Sequence, residues 1–187
     1  PREDHRHGII HDCLPTPEGI EVCRDYHIQM PMQSAFIGWK QEPDDYLEHI
    51  LGHDRLEKLN PIRTFRDNNI VVSFGSDAPC TTPDPIAWMD RAVNNDNAGQ
   101  EVSVQDALRM CTYNGAWAAF DEQERGSLEA GKIADMAVLS ENPYTVPKDK
   151  LSGLRVERLY LSGKSYESCR ESILPMMLRG LTSRNKA

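Results

Sequence analysis

Ile70-Val71-Val72-Ser73-Phe74 runs directly into Gly75-Ser76-Asp77-Ala78-Pro79 near the middle of the chain. A short run of apolar, β-branched and aromatic residues that stops at Gly and Pro predicts a strand covered on both faces, as in parallel sheets flanked by helices. Asp77 then lies at the carboxyl end of that strand, where open α/β sheets and (β/α) barrels bind ligands. We interpret Asp77 as a functional carboxylate; the alternative is an aspartate that only caps the following turn.

The first half of the chain alternates predicted strands and helices, which is the pattern of a parallel sheet with crossover helices. Residues 8–11 form a short apolar segment with a polar end, residues 28–33 alternate apolar and polar side chains, and a third strand ends at Asp77. Helices are expected after the cap-and-proline pairs Thr16-Pro17 and Asp84-Pro85, and over Asp44–Leu51 and 61–66. Three successive β-α units are therefore expected.

The second half has a different texture. Ser103 with Asp106 three residues later is a carboxylate variant of the capping box and predicts a helix over Val104–Cys111. Strands are predicted at 134–139 and 154–161, with a hairpin turn at Ser162-Gly163 leading into 164–167, an amphipathic helix at 169–181 and a disordered end at 182–187. We therefore divide the chain into an α/β part (1–125), a β-rich part (126–168) and a helix with its tail (169–187).

Composition limits the classes of function. At 187 residues the chain can bury a core, but it is shorter than the roughly 250 residues of a complete (β/α)8 barrel. Its net charge of -8 argues against binding to nucleic acid or to an anionic membrane, because both need clustered Lys and Arg. Small molecules are the expected partners. No apolar run approaches the ~18 residues of a membrane span.

Cysteine usage indicates a reducing compartment. The five cysteines are odd in number, widely spaced and without a CxxC pair, which favours neither a disulfide framework nor a structural zinc site. We expect reduced thiols in the cytoplasm. The charged start of the chain is unlike a signal peptide, although the missing initiator Met suggests a piece of a longer protein and leaves an upstream signal open.

Four segments resemble one family. His7-Gly8-Ile9-Ile10-His11, Met32-Gln33-Ser34-Ala35-Phe36 and Gly75-Ser76-Asp77-Ala78-Pro79 are similar to its sixth, seventh and eighth barrel-strand ends, and residues 126–139 are similar to its return into a β-sandwich. The family is that of the metal-dependent amidohydrolases, in its amidohydrolase-3 or YtcJ-like branch. The resemblance extends from about His7 to Glu167, covers only the carboxyl-terminal portion of such an enzyme, and implies a partial (β/α) TIM barrel plus strands of a small β-sandwich.

The resemblance also implies a chemistry. In the family, one or two divalent ions, commonly zinc, activate water to hydrolyse carbon–nitrogen bonds other than peptide bonds in small amide-type substrates. His11 would bind metal or the substrate oxygen, and Asp77 would bind metal and act as general base, later protonating the leaving nitrogen. This sequence has no counterpart of the family's first metal pair, of its strand-four lysine or acid, or of its strand-five histidine. We therefore expect this chain alone to bind metal poorly and to hydrolyse little.

Other polar residues have competing interpretations. Gln33 would donate a hydrogen bond to substrate or only bond loop backbone. His5-Arg6-His7 has the form of a metal motif, but it follows charged residues instead of closing an apolar strand, so we expect a solvated lead-in. The family usually has an acidic residue at the position of Ile10. Asp84 is expected to cap a helix and Asp135 to order a turn. Cys80 has no recognisable general base near it in the sequence, so we expect no nucleophilic role for it. Surface positions are expected for His27, His49 and His53, and core or pocket-wall positions for Trp39, Trp88 and Trp117.

Two expectations concern the whole protein. Half a barrel leaves its first strand with unpaired backbone groups, which favours pairing with another copy, so we expect a two-fold homodimer. A different class of function also stays open: a non-catalytic regulatory or interaction module that keeps the family's carboxyl-terminal half, as in relatives labelled regulators of exoenzyme production.

Overall fold

A parallel β-pair lies at the centre of the computed structural model, which describes residues 3–97 and 99–166. Strand β1 (Met30–Met32) pairs with β2 (Val72–Phe74) in parallel register, with Met30 opposite Val72 and Met32 opposite Phe74. Met30, Met32 and Val72 are at most 1% exposed, because helices cover the pair. In the apolar run before Asp77, Ile70, Val72 and Ser73 are buried, whereas Val71 and Phe74 are half-buried.

The segment before β1 lies along its other edge. Gly8 and Gln29 form a single parallel bridge; Ile9 N donates to Gln29 O at 3.0 Å, and His11 N donates to Pro31 O at 3.3 Å. Within the described residues this segment contributes a bridge and not a full strand, so three complete β-α units stay a prediction. The spatial order is nevertheless 7–11, β1, β2.

Seven α-helices are present among the described residues: α1 Pro17–Asp25, α2 Asp44–Leu51, α3 His53–Leu56, α4 Ile62–Asp67, α5 Pro85–Val93, α6 Val104–Cys111 and α7 Tyr113–Ala118. The predicted caps are confirmed: Thr16 Oγ1 accepts from Gly19 N at 3.1 Å, Asp84 Oδ1 from Ile86 N at 3.1 Å, and Ser103 Oγ from Asp106 N at 3.0 Å. Each satisfies a backbone N–H that the helix itself leaves without a partner.

The apolar sides of three helices build the core around the parallel pair. Phe65 of α4, Met89 of α5 and Ala107 of α6 are at most 2% exposed. Leu151, in a 3₁₀ helix over Lys148–Gly153, is fully buried and belongs to the same cluster, which joins the later part of the chain to the first.

An antiparallel sheet follows: β3 (Met136–Leu139), β4 (Val156–Leu161) and β5 (Lys164–Ser165), in that order. The predicted hairpin turn is confirmed, since Ser162 and Gly163 both have positive φ, 51° and 75°. Asp135 Oδ1 accepts from Ser162 N at 2.8 Å, which secures this turn. A sandwich requires two sheets. The described residues supply one after residue 126, so the sandwich and the domain division stay predictions.

Helix α7 is not predicted by the sequence, because its YNGAWA segment contains a glycine and lacks a capping side chain. The predicted helix at 169–181 and the tail at 182–187 lie outside the described residues. Within 3–97 and 99–166, no helix combines the length and apolar character needed to cross a bilayer.

Candidate functional site

The carboxyl ends of the three parallel segments bring the predicted site residues together. His11 Nε2 lies 3.6 Å from Asp77 Oδ2, across the intervening strand β1. Gln33, directly after β1, is 7% exposed, and its Nε2 would lie 3.7 Å from a Cβ placed on Gly75. The topology therefore places an imidazole, an amide and a carboxylate at one edge of the sheet.

His11 and Asp77 share an unusual backbone conformation at the ends of their segments. Both have left-handed φ, 66° for His11 and 51° for Asp77, a conformation that costs non-glycine residues energy and recurs at functional sites. Their side chains are 41% and 45% exposed, so ligands can reach both.

Buried polar atoms at this edge lack protein partners. His11 Nδ1 and Gln33 Oε1 make no hydrogen bond to any described residue. An unpaired buried polar atom costs about 1–3 kcal/mol, so these atoms fit a site that a ligand completes. Among the described residues, the Gln33 side chain has no hydrogen-bond partner in the loop backbone.

His11 and Asp77 are donors of the types that bind divalent ions, but two donors are fewer than a catalytic metal site uses. Imidazole nitrogen and carboxylate oxygen are both zinc ligands, and a catalytic site takes about three protein ligands. No group of three His, Cys, Asp or Glu side chains placed to hold a metal occurs within the part of the chain that the structure describes. His11 and Asp77 thus supply two donors of the types that zinc sites use.

A groove of about 720 Å³ opens between the loop that follows β1 and the loop that follows β2. An aromatic row joins it to the candidate pair: Phe36 stacks on His11 with ring centroids 5.7 Å apart, and Trp39 lies 5.0 Å from Phe36. We call this groove the strand-end groove. Its lining includes Trp39, Lys40, Ala78, Cys80, Asp84 and Arg91. Trp39 is therefore a pocket-wall residue, whereas Lys40 and Arg91 are residues that sequence reasoning missed.

The expectation of a solvated lead-in at His5-Arg6-His7 is wrong for Arg6. The Arg6 side chain is 7% exposed, and its guanidinium lies between the rings of Trp117 and Phe120, 4.4 Å and 4.2 Å from their centroids. It donates to both carboxylate oxygens of Glu122 at 2.8 Å. Hydrogen bonds from this guanidinium are the main reason that the pKa of Glu122 falls to about 2.

Within 3–97 and 99–166, no third metal donor joins the flanking histidines. His5 and His7 stack with ring centroids 4.6 Å apart, and His5 Nε2 lies 3.0 Å from Tyr26 O. The more distant histidines occupy the exposed positions expected of them, namely His27, His49 and His53.

The cysteines of the described range are free thiols. Burial raises the pKa of Cys13 to about 11 and that of Cys111 to about 12, so both are protonated and unreactive near neutral pH. Cys80 is exposed on the groove wall. The fifth, Cys169, lies outside the described residues.

Known proteins share sequence and fold with this chain. The sequence profile of the amidohydrolase family matches residues 1–166. The chain is 33% identical to the N-substituted formamide deformylase of Arthrobacter pascens over 152 residues, covering 78% of this chain and 26% of that protein. It is 25% identical to the putative amidohydrolase YtcJ of Bacillus subtilis (strain 168) over 175 residues, covering 88% of this chain and 32% of that protein.

A solved structure shares the fold. It is an uncharacterized metal-dependent hydrolase from Pyrococcus horikoshii OT3, with a TM-score of 0.68 at 22% identity, over 78% of this chain and 31% of that one. The chain thus spans about a quarter to a third of the length of the curated relatives it matches.

Proposed function

The chain belongs to the amidohydrolase family, as its strand-end and return motifs predicted, and we propose that it forms the carboxyl-terminal part of a metal-dependent hydrolase. The proposed reaction is hydrolysis of a non-peptide, amide-type carbon–nitrogen bond in a small molecule. The observation that carries the proposal is the 3.6 Å approach of His11 Nε2 to Asp77 Oδ2 at neighbouring strand ends. Similarity to a deformylase of N-substituted formamides supports the bond type.

In this proposal the parallel segments are the last three β-α units of a (β/α) barrel. Segment 7–11, β1 and β2 would be its sixth, seventh and eighth strands, and β3 to β5 would be strands of the small sandwich. Free thiols favour a cytoplasmic location.

Each site residue has a proposed task. A divalent ion, with zinc as the candidate, would supply a Lewis acid that activates water at neutral pH. His11 and Asp77 would hold that ion. Asp77 would also take the proton of the attacking water and pass it to the leaving nitrogen, since its side chain is 45% exposed and a bound substrate can reach it. Gln33, whose amide has no partner among the described residues, would orient the substrate.

The test is to isolate the protein from its source cells with an antibody to this segment. We expect a mass more than twice the 21.2 kDa of this chain and an amidase activity that a chelator abolishes and zinc restores. A protein near 21 kDa that binds no zinc and hydrolyses no formamide or other simple amide would overturn the proposal.

One observation favours a second candidate, a regulatory or interaction module. The described residues place two metal donors together and not three. Under that alternative the mass would be near 21 kDa and zinc would have no effect.

We also propose that, in the 21.2 kDa chain by itself, a second copy covers the outer edge of segment 7–11, which a preceding barrel strand would cover in a longer protein. Ile9 and His11 direct their N–H groups to β1, while those of Gly8 and Ile10 have no backbone partner among the described residues. Ile9 and Ile10 are 45% and 60% exposed. Such an edge is a template for strand pairing, and a two-fold axis would let the same edge serve both copies.

Light scattering tests this pairing. We expect a mass of two chains for the wild type and of one chain for Ile10→Lys, because an edge lysine opposes strand pairing. Leu128→Lys, at a 79% exposed residue away from the edge, is the control and should stay dimeric. A monomeric wild type would sink the idea.

A further inference from the structure

The strand-end groove carries two cationic side chains that have no anionic partner of their own. Lys40 and Arg91 line it, and neither forms an ion pair or hydrogen bond with a described residue. Arg24 and Arg66, by contrast, form ion pairs with Asp25 and Asp106. A half-buried guanidinium left without a carboxylate is therefore available to a ligand.

The absence of a side chain at Gly38 leaves room for the Arg91 guanidinium. A Cβ on Gly38 would lie 2.9 Å from Arg91 Nη1 and 3.5 Å from its Cζ, so the guanidinium packs directly against the backbone of the loop after β1. Gly38 also has a φ of +60°, which other residues adopt at a cost. Asp96 Oδ2 would lie 3.3 Å from the same Cβ, yet it forms no ion pair with Arg91.

The groove lies beside the candidate pair. Its wall includes Ala78, the residue after Asp77, and the aromatic row from His11 through Phe36 reaches Trp39 in its lining. A substrate whose scissile bond lies at His11 and Asp77 would extend over Trp39 towards Arg91. The flat indole suits the apolar body of such a molecule.

The charges around the groove select the kind of anion. Arg binds planar carboxylates through two parallel hydrogen bonds, and Lys adds a point charge. Asp84 also lines the groove, but its Oδ1 already accepts from Ile86 N and Ala87 N. With Asp84 and Asp96 near by, a singly charged carboxylate is favoured over a dianionic phosphate.

We propose that the strand-end groove binds the carboxylate end of the substrate, so that the substrate class is an amide bearing a carboxylate. This rests on the proposed function for the position of the scissile bond. Arg91 and Lys40 hold the carboxylate, and Trp39 contacts the part between it and the amide.

The test compares two probes of nearly equal shape, N-acetylglycine and its neutral amide N-acetylglycinamide, by chemical-shift titration of the full chain. We expect the acid to bind about 10-fold more tightly, as expected of a charge-assisted hydrogen bond. Arg91→Gln should abolish that preference, and Lys40→Gln, at an exposed residue that leaves the fold intact, should reduce it. Arg155→Gln, on the exposed chain before β4, is the matched control and should keep it.

Equal binding of the two probes by the wild type, or an undiminished preference in Arg91→Gln, would overturn the proposal. Asp77→Asn separates the two claims. We expect Asp77→Asn to keep the preference for N-acetylglycine, because the carboxylate binds at Arg91. If the proposed function fails instead, the wild type will bind no zinc, while its preference for N-acetylglycine will be unchanged.

Discussion

At the residue scale, the Arg6–Glu122 ion pair ties the start of the chain to the region after α7, 116 positions away. Arg6 precedes segment 7–11, and its carbonyl oxygen accepts from the Gln29 side chain at 2.5 Å. Fixing Arg6 therefore fixes the entry of the segment that ends at His11. The hydrogen bonds that Arg6 donates to the Glu122 and Asp4 carboxylates raise the pKa of Arg6 above its usual range.

This ion pair predicts a pH dependence of stability. The pKa of Glu122 is lowered from 4.5 to about 2 in the folded chain, so its stabilisation is present above pH 4.5 and is lost as the pH falls towards 2. Glu122→Gln should lower the urea midpoint at pH 6 and flatten its fall between pH 4.5 and 2.5. Glu141→Gln, at an exposed residue, is the control. An unchanged pH slope in Glu122→Gln would contradict the assignment.

The roles of some residues could be predicted because their partners are close in the sequence, whereas the roles of others depend on partners far away in the sequence. Asp84 and Ser103 were predicted as caps because their partners lie within three positions along the chain. Arg6 was not, because Trp117 and Glu122 are more than a hundred positions away and no pattern around Arg6 indicates them. The groove residue Arg91 was missed because it packs against Gly38 of a separate loop, a contact that no local pattern indicates.

At the element scale, α5 positions the groove wall, and its N-cap is the point at which it can be tested. Asp84→Ala should destabilise the chain by about 1 kcal/mol, because the amides of Ile86 and Ala87 lose their acceptor. Asp84→Asn keeps an acceptor oxygen and should stay within a few tenths of wild type. Urea denaturation measures both; equal losses in the two variants would point to the charge and not to the cap.

Phe65 tests the packing of α4 against the sheet. It is fully buried within the core cluster, so Phe65→Ala should cost about 3–5 kcal/mol in the free energy of unfolding. Leu128→Ala, at a 79% exposed residue, should change it by less than about 0.5 kcal/mol. A loss at Phe65 no larger than that at Leu128 would contradict the described core.

Periodicity and caps predicted most elements, whereas tertiary packing decided the rest. The helix Val104–Cys111 matches its predicted bounds, because a cap and an apolar stripe both mark it. Helix α7 has neither; Trp117 packs over the buried Arg6 guanidinium instead. Segment 7–11 was expected as a strand, yet it lies at an open edge and makes one bridge.

At the scale of the whole molecule, the chain gathers three strand-end side chains and a groove beside them, while the curated relatives it matches are about three times as long. The order of segment 7–11, β1 and β2 follows from the parallel pairing and accounts for why His11, Gln33 and Asp77 meet. Sequence motifs could predict that meeting. They could not predict the groove, because its shape depends on how two loops pack.

Zinc titration of the chain by calorimetry tests the central claim most directly. The account predicts one weak site in the wild type that is lost in His11→Ala and in Asp77→Asn, and kept in His49→Ala, which removes an exposed histidine from α2. Zinc binding that is the same in the wild type, His11→Ala and Asp77→Asn would contradict a metal site at these strand ends.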